Sequence, residues 1–279
     1  MEVDGKQRLA KVLAARGIAS RREAEKLIEK GLVEVDGEVI RHPGHPVDPD
    51  HERIYVDGKL TPTTPRKAYY LLNKPTGYIV SRADPDGRRS VLELLPELPE
   101  RVEPVGRLDI NTEGALLLTN DGALAHSLTH PSREIPKRYL VKVWKEPNER
   151  KLAQLETGVH LEDGKTAPAK VRIVESTDGG NTWLELTVTE GRNRLVRRMF
   201  AAIGHPVSKL KRVSFATISV RDLPVGQFRL LTAEEVTRLR ELARGVNPQR
   251  AGQKKKERKA GFASPGEAWM KKRVHRKAR

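Results

Sequence analysis

The 279-residue chain carries 53 Lys and Arg against 37 Asp and Glu, a formal net charge of +16, and has no cysteine. The missing thiols exclude disulfides, thiolate nucleophiles and cysteine-ligated zinc or iron–sulfur sites, and the length suffices for two domains that each bury a core. No apolar run approaches the roughly 18 residues of a membrane span and the N-terminus lacks a signal-peptide core, so a cytoplasmic protein without membrane contact is expected.

Gln7 to Arg16 reads as a helix with Leu9, Val12 and Leu13 on one face and Gly17 placed to end it. A second helix opens at Ser20, where Ser20-Arg21-Arg22-Glu23 has capping-box spacing, and closes at Gly31. Leu32 to Val35 and Glu38 to Ile40 are strand-like runs joined by Asp36-Gly37, a strong hairpin signal, and Ile54 to Val56 with Asp57-Gly58 repeats that chemistry. Thr61-Pro62-Thr63-Thr64-Pro65 reads as a stiff polar linker.

Beyond the linker, strands are expected at Tyr69 to Leu72, Ala115 to Thr119, Arg138 to Val143, Lys170 to Val174, Trp183 to Thr189, Val213 to Val220 and Phe228 to Leu230. Helices are expected at Gly122 to Leu128, Pro147 to Glu156, Arg194 to Ile203 and Thr232 to Ala243. Several strands alternate apolar and polar residues, which predicts an α+β unit on a mixed, mainly antiparallel sheet.

Charge is spread unevenly. Residues 1 to 66 balance 12 basic against 12 acidic residues, whereas residues 246 to 279 carry 12 Lys and Arg against two Glu, a net of +10. With Lys254-Lys255-Lys256 and no apolar period, that tail is expected to be disordered without a polyanion, and nucleic acid is the favoured partner. The chain therefore divides into an N-terminal module (1–65), a larger α+β domain (66–245) and a basic tail (246–279).

The segment Gly106-Arg107-Leu108-Asp109-Ile110-Asn111-Thr112-Glu113-Gly114 places one carboxylate in a glycine-bounded loop. Taken alone, such an Asp more often binds its own backbone amides than does chemistry. Two further motifs follow: Lys137-Arg138-Tyr139-Leu140-Val141-Lys142-Val143, and Glu190-Gly191-Arg192-Asn193-Arg194-Leu195-Val196-Arg197-Arg198-Met199. In order and approximate spacing the three resemble the rRNA pseudouridine synthases of the small-subunit synthase A and large-subunit synthase B, E and F type, over roughly residues 67 to 245. Ala115 departs from the pattern, where leucine is more usual. Residues 6 to 65 resemble the S4 RNA-binding module, with Arg21 and Arg22 at the exposed start of its second helix as the expected phosphate contacts.

The resemblance implies isomerisation of uridine to pseudouridine in rRNA, with breakage of the N1–C1′ bond, rotation of the uracil and re-attachment through C5. No external group is consumed, so no cofactor is expected. Asp109 would serve as nucleophile or base, Tyr139 would stack on the extruded uracil, and Arg197 would hold Asp109 ionised through a charge-assisted pair. Val196 would pack against the base. Arg107, in the nucleophile loop, would help to flip the nucleotide, while Lys137, Arg138, Arg192 and Arg198 would contact substrate. Lys74, in Leu71-Leu72-Asn73-Lys74-Pro75, would help to shape the cleft.

Layout and tail together point to large-subunit (23S) rRNA or an assembly intermediate and to a monomer. A small-subunit (16S) synthase and a non-catalytic ribosome-assembly binder are the rivals. A metal-dependent nuclease would need clustered carboxylates; the His126 and His130 pair has zinc-protease spacing, but Ser127 stands where Glu is required, and no metal site is expected.

Overall fold

The computed structural model describes residues 5–62, 65–81, 84, 86–95, 98–176 and 180–245. The basic tail and two residues of the linker, Thr63 and Thr64, lie outside the described residues.

The N-terminal unit comprises β1 (Gln7–Arg8), α1 (Leu9–Ala15), α2 (Arg21–Glu29), β2 (Val33–Val35), β3 (Glu38–Ile40), β4 (Pro46–Val47), β5 (Ile54–Val56) and β6 (Lys59–Leu60). Its four-stranded sheet runs β3-β2-β5-β6 and its core gathers Leu9, Val12, Leu13, Ala24, Ile28, Val33 and Ile54. The first helix is shorter than its apolar spacing predicts, because Gln7 and Arg8 are drawn into an antiparallel pair with Val47 and Pro46. The capping box of α2 forms as read: Ser20 Oγ accepts from the Glu23 amide while the Glu23 carboxylate accepts from the Ser20 amide. At Asp36-Gly37 and Asp57-Gly58 both central residues have positive φ, as a two-residue type I′ hairpin requires. Thr61 is docked rather than solvated, its hydroxyl accepting from Arg16 at 2.7 Å and donating to the Ile54 carbonyl.

The larger unit contains β7 (Tyr69–Lys74), a 3-10 turn (Val91–Leu94), β8 (Glu103–Pro104), β9 (Glu113–Thr119), α3 (Gly122–Thr129), a second 3-10 turn (Pro131–Arg133), β10 (Lys137–Trp144), α4 (Glu149–Thr157), β11 (His160–Leu161) and β12 (Gly164–Lys165). It continues through β13 (Lys170–Ser176), β14 (Asn181–Val188), α5 (Leu195–Ala202), β15 (Val207–Phe215), β16 (Ile218–Ser219), β17 (Phe228–Leu230) and α6 (Ala233–Ala243). One sheet runs β13-β14-β10-β15-β9-β7-β17, with β16 on β15 and β8 on β9. All of its pairings are antiparallel except β15 with β9, so the sheet is mixed and mainly antiparallel within an α+β fold.

Alternation on β10 and β14 turns Tyr139, Val141, Val143, Leu184, Leu186 and Val188 into one core, beneath Leu155 of α4 and Val196, Met199 and Phe200 of α5. Helices α3 and α6 cover β7 and β9 through Leu124, Leu128, Leu239 and Leu242.

Two expected elements change. The run from Val213 to Val220 is not one strand, because Ala216 adopts φ 54° and turns the chain between β15 and β16, and β15 itself begins earlier, at Val207. Helix α5 starts at Leu195 because Arg194 sits at its N-cap with a left-handed backbone, φ 46°.

Candidate active site

The Asp109 loop crosses from β8 to β9 between two glycines that the geometry requires. Gly106 has φ 73°, and a Cβ on Gly114 (φ 112°) would lie 2.1 Å from the Arg212 carbonyl oxygen of the neighbouring strand. Asp109 accepts the Thr112 amide on its own carbonyl at 3.0 Å, and Ile110 accepts the Gly77 amide at 2.9 Å. Beneath the loop Lys74 is fully buried. Its Nζ donates to the carbonyls of Pro75 (2.9 Å), Asp109 (3.2 Å), Ile110 (3.3 Å) and Thr112 (3.0 Å), so one ammonium gathers the loop from below. Burial lowers its pKa to about 8, against the opposing pull of Asp109 and Glu113. The Asp109 carboxylate is half-buried and makes no ion pair among the described residues.

Strand β10 supplies a second wall. Lys137 and Tyr139 share one face of it and both line the same cavity as Asp109. Lys137 Nζ donates to the carbonyls of Ile135 and Thr189, each at 3.0 Å. Burial and the neighbouring Arg212 bring its pKa down to about 8, with Glu190 pulling the other way. Arg212, paired with Tyr139 across β10 and β15, is only 3% exposed. Its Nε donates to the Ala115 carbonyl at 2.8 Å, the Tyr139 side chain lies beside its guanidinium, and one terminal nitrogen has no partner. Burial lowers its pKa while Tyr139 acts against that.

Helix α5 closes the third side. Val196, 5% exposed, lines the cavity with Leu195. Arg197 does not form the expected fork with the Asp109 carboxylate: its terminal nitrogens donate to the carbonyls of Asn111 (2.8 Å) and Val207 (3.2 Å). It therefore clasps the loop two residues beyond Asp109 and acts on that carboxylate through space. Burial and Arg194 lower its pKa, and Asp109 raises it.

Three of the remaining basic residues are placed differently from one another. Arg192 lines the cavity but is tied down, to Glu190 at 2.6 Å and to the carbonyls of Gly164 and Lys165 in the β11–β12 hairpin. Arg198 is turned away from the cavity into a bidentate pair with Asp163, both contacts 2.9 Å. Arg138 also lies off the site: strand alternation puts it on the face opposite Lys137 and Tyr139, where it approaches Glu185 at 3.8 Å. Arg107 is exposed at the rim of the cavity, and Arg21 and Arg22 are exposed in the first turn of α2.

Asp109, Tyr139, Lys137, Arg107, Arg192 and Val196 thus surround one cavity of about 280 Å³, near the lower end of the roughly 300–1,000 Å³ of small-molecule sites. Its floor is apolar (Leu108, Val188, Leu210) and its polar rim is mostly cationic. Sequence reading missed Arg212, although Leu210, Arg212 and Ser214 share strand parity and so mark an inward charge. Among the described residues no group of three or more His, Asp or Glu stands together as metal ligands, and His126 and His130 only meet edge to face at 5.5 Å.

A cation-rimmed cavity that holds Asp109 and Tyr139 together, preceded by a small helix-and-hairpin unit, has clear relatives. Residues 68–202 match the family model for RNA pseudouridylate synthase and residues 7–54 match that for the S4 domain. The chain is 47% identical over 238 residues to "Ribosomal large subunit pseudouridine synthase B" of Bacillus subtilis, covering 85% of this chain and 97% of the relative. It is 46% identical over 234 residues to an "Uncharacterized RNA pseudouridine synthase" of Aquifex aeolicus, covering 83% and 93%. A solved structure titled "Crystal structure of pseudouridylate synthase" superposes with a TM-score of 0.60 at 31% identity, over 83% of this chain and 99% of that one. The chain belongs to the RNA pseudouridine synthase family, as an enzyme whose synthase region follows an S4 domain.

Proposed function

We propose that the protein converts a uridine of large-subunit (23S) rRNA to pseudouridine, with Asp109 as the nucleophile or base. The observation that carries this reading is that Asp109 and Tyr139 line one and the same cavity. The naming of the Bacillus subtilis relative supports the large subunit as the source of substrate.

In the proposed reaction an extruded uridine enters with its base over the apolar floor and its backbone at the cationic rim. Tyr139 stacks against the uracil, Val196 packs beside it, and Arg107 fills the place the nucleotide leaves in the RNA. Asp109 assists cleavage of the N1–C1′ bond; the uracil turns and joins C1′ through C5. The C5 proton is lost and N1 gains one, so the atoms balance without a co-reactant. Lys74 and Arg197 hold the Asp109 loop by its carbonyls and supply positive potential, which stabilises the carboxylate in a pocket emptied of water.

We assign RNA recognition to residues 1–65, with Arg21 and Arg22 presenting donors at a helix start, and chemistry to residues 66–245. The cationic tail adds attraction for RNA phosphates, and the protein acts as a monomer in the cytoplasm. The test is to incubate unmodified rRNA with the protein in chelator and map pseudouridine. One new pseudouridine in 23S rRNA is expected. Modification of 16S rRNA alone would reassign the substrate, and no modification of either would refute the activity.

A further inference from the structure

The four strands β13, β14, β10 and β15 carry the cavity wall and the core of α4 and α5 on one face only. Among the described residues nothing packs over their other face. Across it, Trp183 of β14, Lys142 of β10 and Lys209 of β15 form one rung of paired residues, and Glu185, Leu140 and Lys211 form the next. Trp144 continues the same face of β10 and is 56% exposed. Lys142 Nζ lies 5.7 Å from the centre of the Trp183 ring. Two of the chain's three tryptophans therefore stand on an uncovered sheet face.

The charge on this face is one-sided. Of its two carboxylates, Glu185 is engaged by Arg172 at 3.0 Å and Arg138 at 3.8 Å, and Glu175 stands opposite Trp183 at the outer edge. Lys142, Lys209 and Lys211 make no ion pair among the described residues. A surface built only for solvent has no use for an exposed indole, and a surface for a second copy of this chain would set these lysines against themselves. The chain's own tail, net +10, is repelled for the same reason. A polyanion that also offers flat π faces fits both features: base stacking on aromatic rings with phosphates on flanking lysines is how sheet surfaces hold unpaired RNA.

We propose that this open face is a second RNA-binding surface, which stacks unpaired bases on Trp144 and Trp183 and seats their phosphates on Lys142, Lys209 and Lys211. At about 4.8 Å between strands the patch is roughly 14 Å wide, enough for two or three nucleotides. It lies across the sheet from the cavity, so it engages rRNA remote from the target uridine. The proposal rests on rRNA being the substrate.

The test compares a short stem-loop around the mapped uridine with a long rRNA fragment, using the full-length protein. Trp144→Ala should weaken binding of the long fragment by about tenfold, with Trp144→Phe retaining most of the affinity. Lys142→Gln with Lys209→Gln should make the slope of log K on log salt shallower by about 1.4, since each phosphate contact on a single strand contributes about 0.7. Turnover on the short stem-loop should match the parent in every variant. Unchanged affinity for the long fragment in all variants would overturn the proposal, as would variants that alter only self-association of the protein in sedimentation. Binding is read without turnover, so variants that show these losses beside a parent that makes no pseudouridine would overturn the activity and leave the surface standing.

Discussion

The Nζ of Lys74 lies 3.2 Å from the carbonyl oxygen of Asp109, beneath the loop that carries the carboxylate. The side chain is fully buried and its other acceptors are the carbonyls of Pro75, Ile110 and Thr112. Lys74→Met keeps the length of the side chain but strands these carbonyls. The expected cost is about 1–3 kcal/mol of stability for buried acceptors left unpaired, with a loss of turnover larger than the loss of fold. Denaturant titration beside single-turnover kinetics checks both; a stable Lys74→Met protein with the parent rate would show that the loop holds itself.

Asp109→Asn preserves shape and removes the negative charge. In the proposed reaction it should abolish turnover while rRNA affinity and melting temperature stay near those of the parent. Pseudouridine formation at a comparable rate would sink the assignment of Asp109.

Arg197 reaches Asn111 and Val207 with two different nitrogens of one fork. Lysine offers a single point donor and cannot serve both carbonyls in that geometry. Arg197→Lys should therefore fold yet lose about 10²-fold in kcat, on the scale of a preorganised electrostatic contact removed. A rate within a few-fold of the parent would mean that charge alone, without the clasp, suffices.

The difference between what was legible in the chain and what was not follows from range. Capping at Ser20, the hairpins at Asp36-Gly37 and Asp57-Gly58, and the alternation of β10 are local patterns, and the structure shows each of them. Period two in β10 also held the placement of Arg138: with Lys137 and Tyr139 inward, the residue between them must face out. The partners of Arg192 and Arg198 were not legible, because Asp163 sits in a hairpin of two-residue strands with no periodicity to read. The Arg197 clasp was equally hidden. A cation near a carboxylate suggests an ion pair, whereas backbone carbonyls as acceptors leave no mark in a sequence. Arg212 meets Ala115 and Tyr139 only through the β9, β15 and β10 pairings.

Lys137 gives the cavity a titration that can be followed. Its pKa is about 8 in the folded protein and 10.5 in an unfolded chain, so between these values the unfolded state binds more protons. The half-buried ammonium is a liability below pH 8, and that liability fades as pH rises through the window. Stability of the parent relative to Lys137→Met should therefore increase from pH 8 to pH 10. Urea titrations at the two values measure this; a constant or shrinking difference would show that Lys137 is better solvated than its surroundings indicate.

Residues 246–279 add net +10 beyond α6, enough to shape affinity without any fixed geometry. Lys and Arg in such a segment neutralise phosphates and release counterions, a contribution that depends on salt and hardly on sequence. Truncation after Gly245 should lower affinity for rRNA at low salt, flatten the dependence of log K on log salt, and leave the modified uridine unchanged in deproteinised rRNA. The loss should shrink as salt rises, because the contribution removed is the one that salt itself removes. An unchanged slope would show that the tail does not touch RNA, and a change in the modified site would give the tail a part in choosing the target.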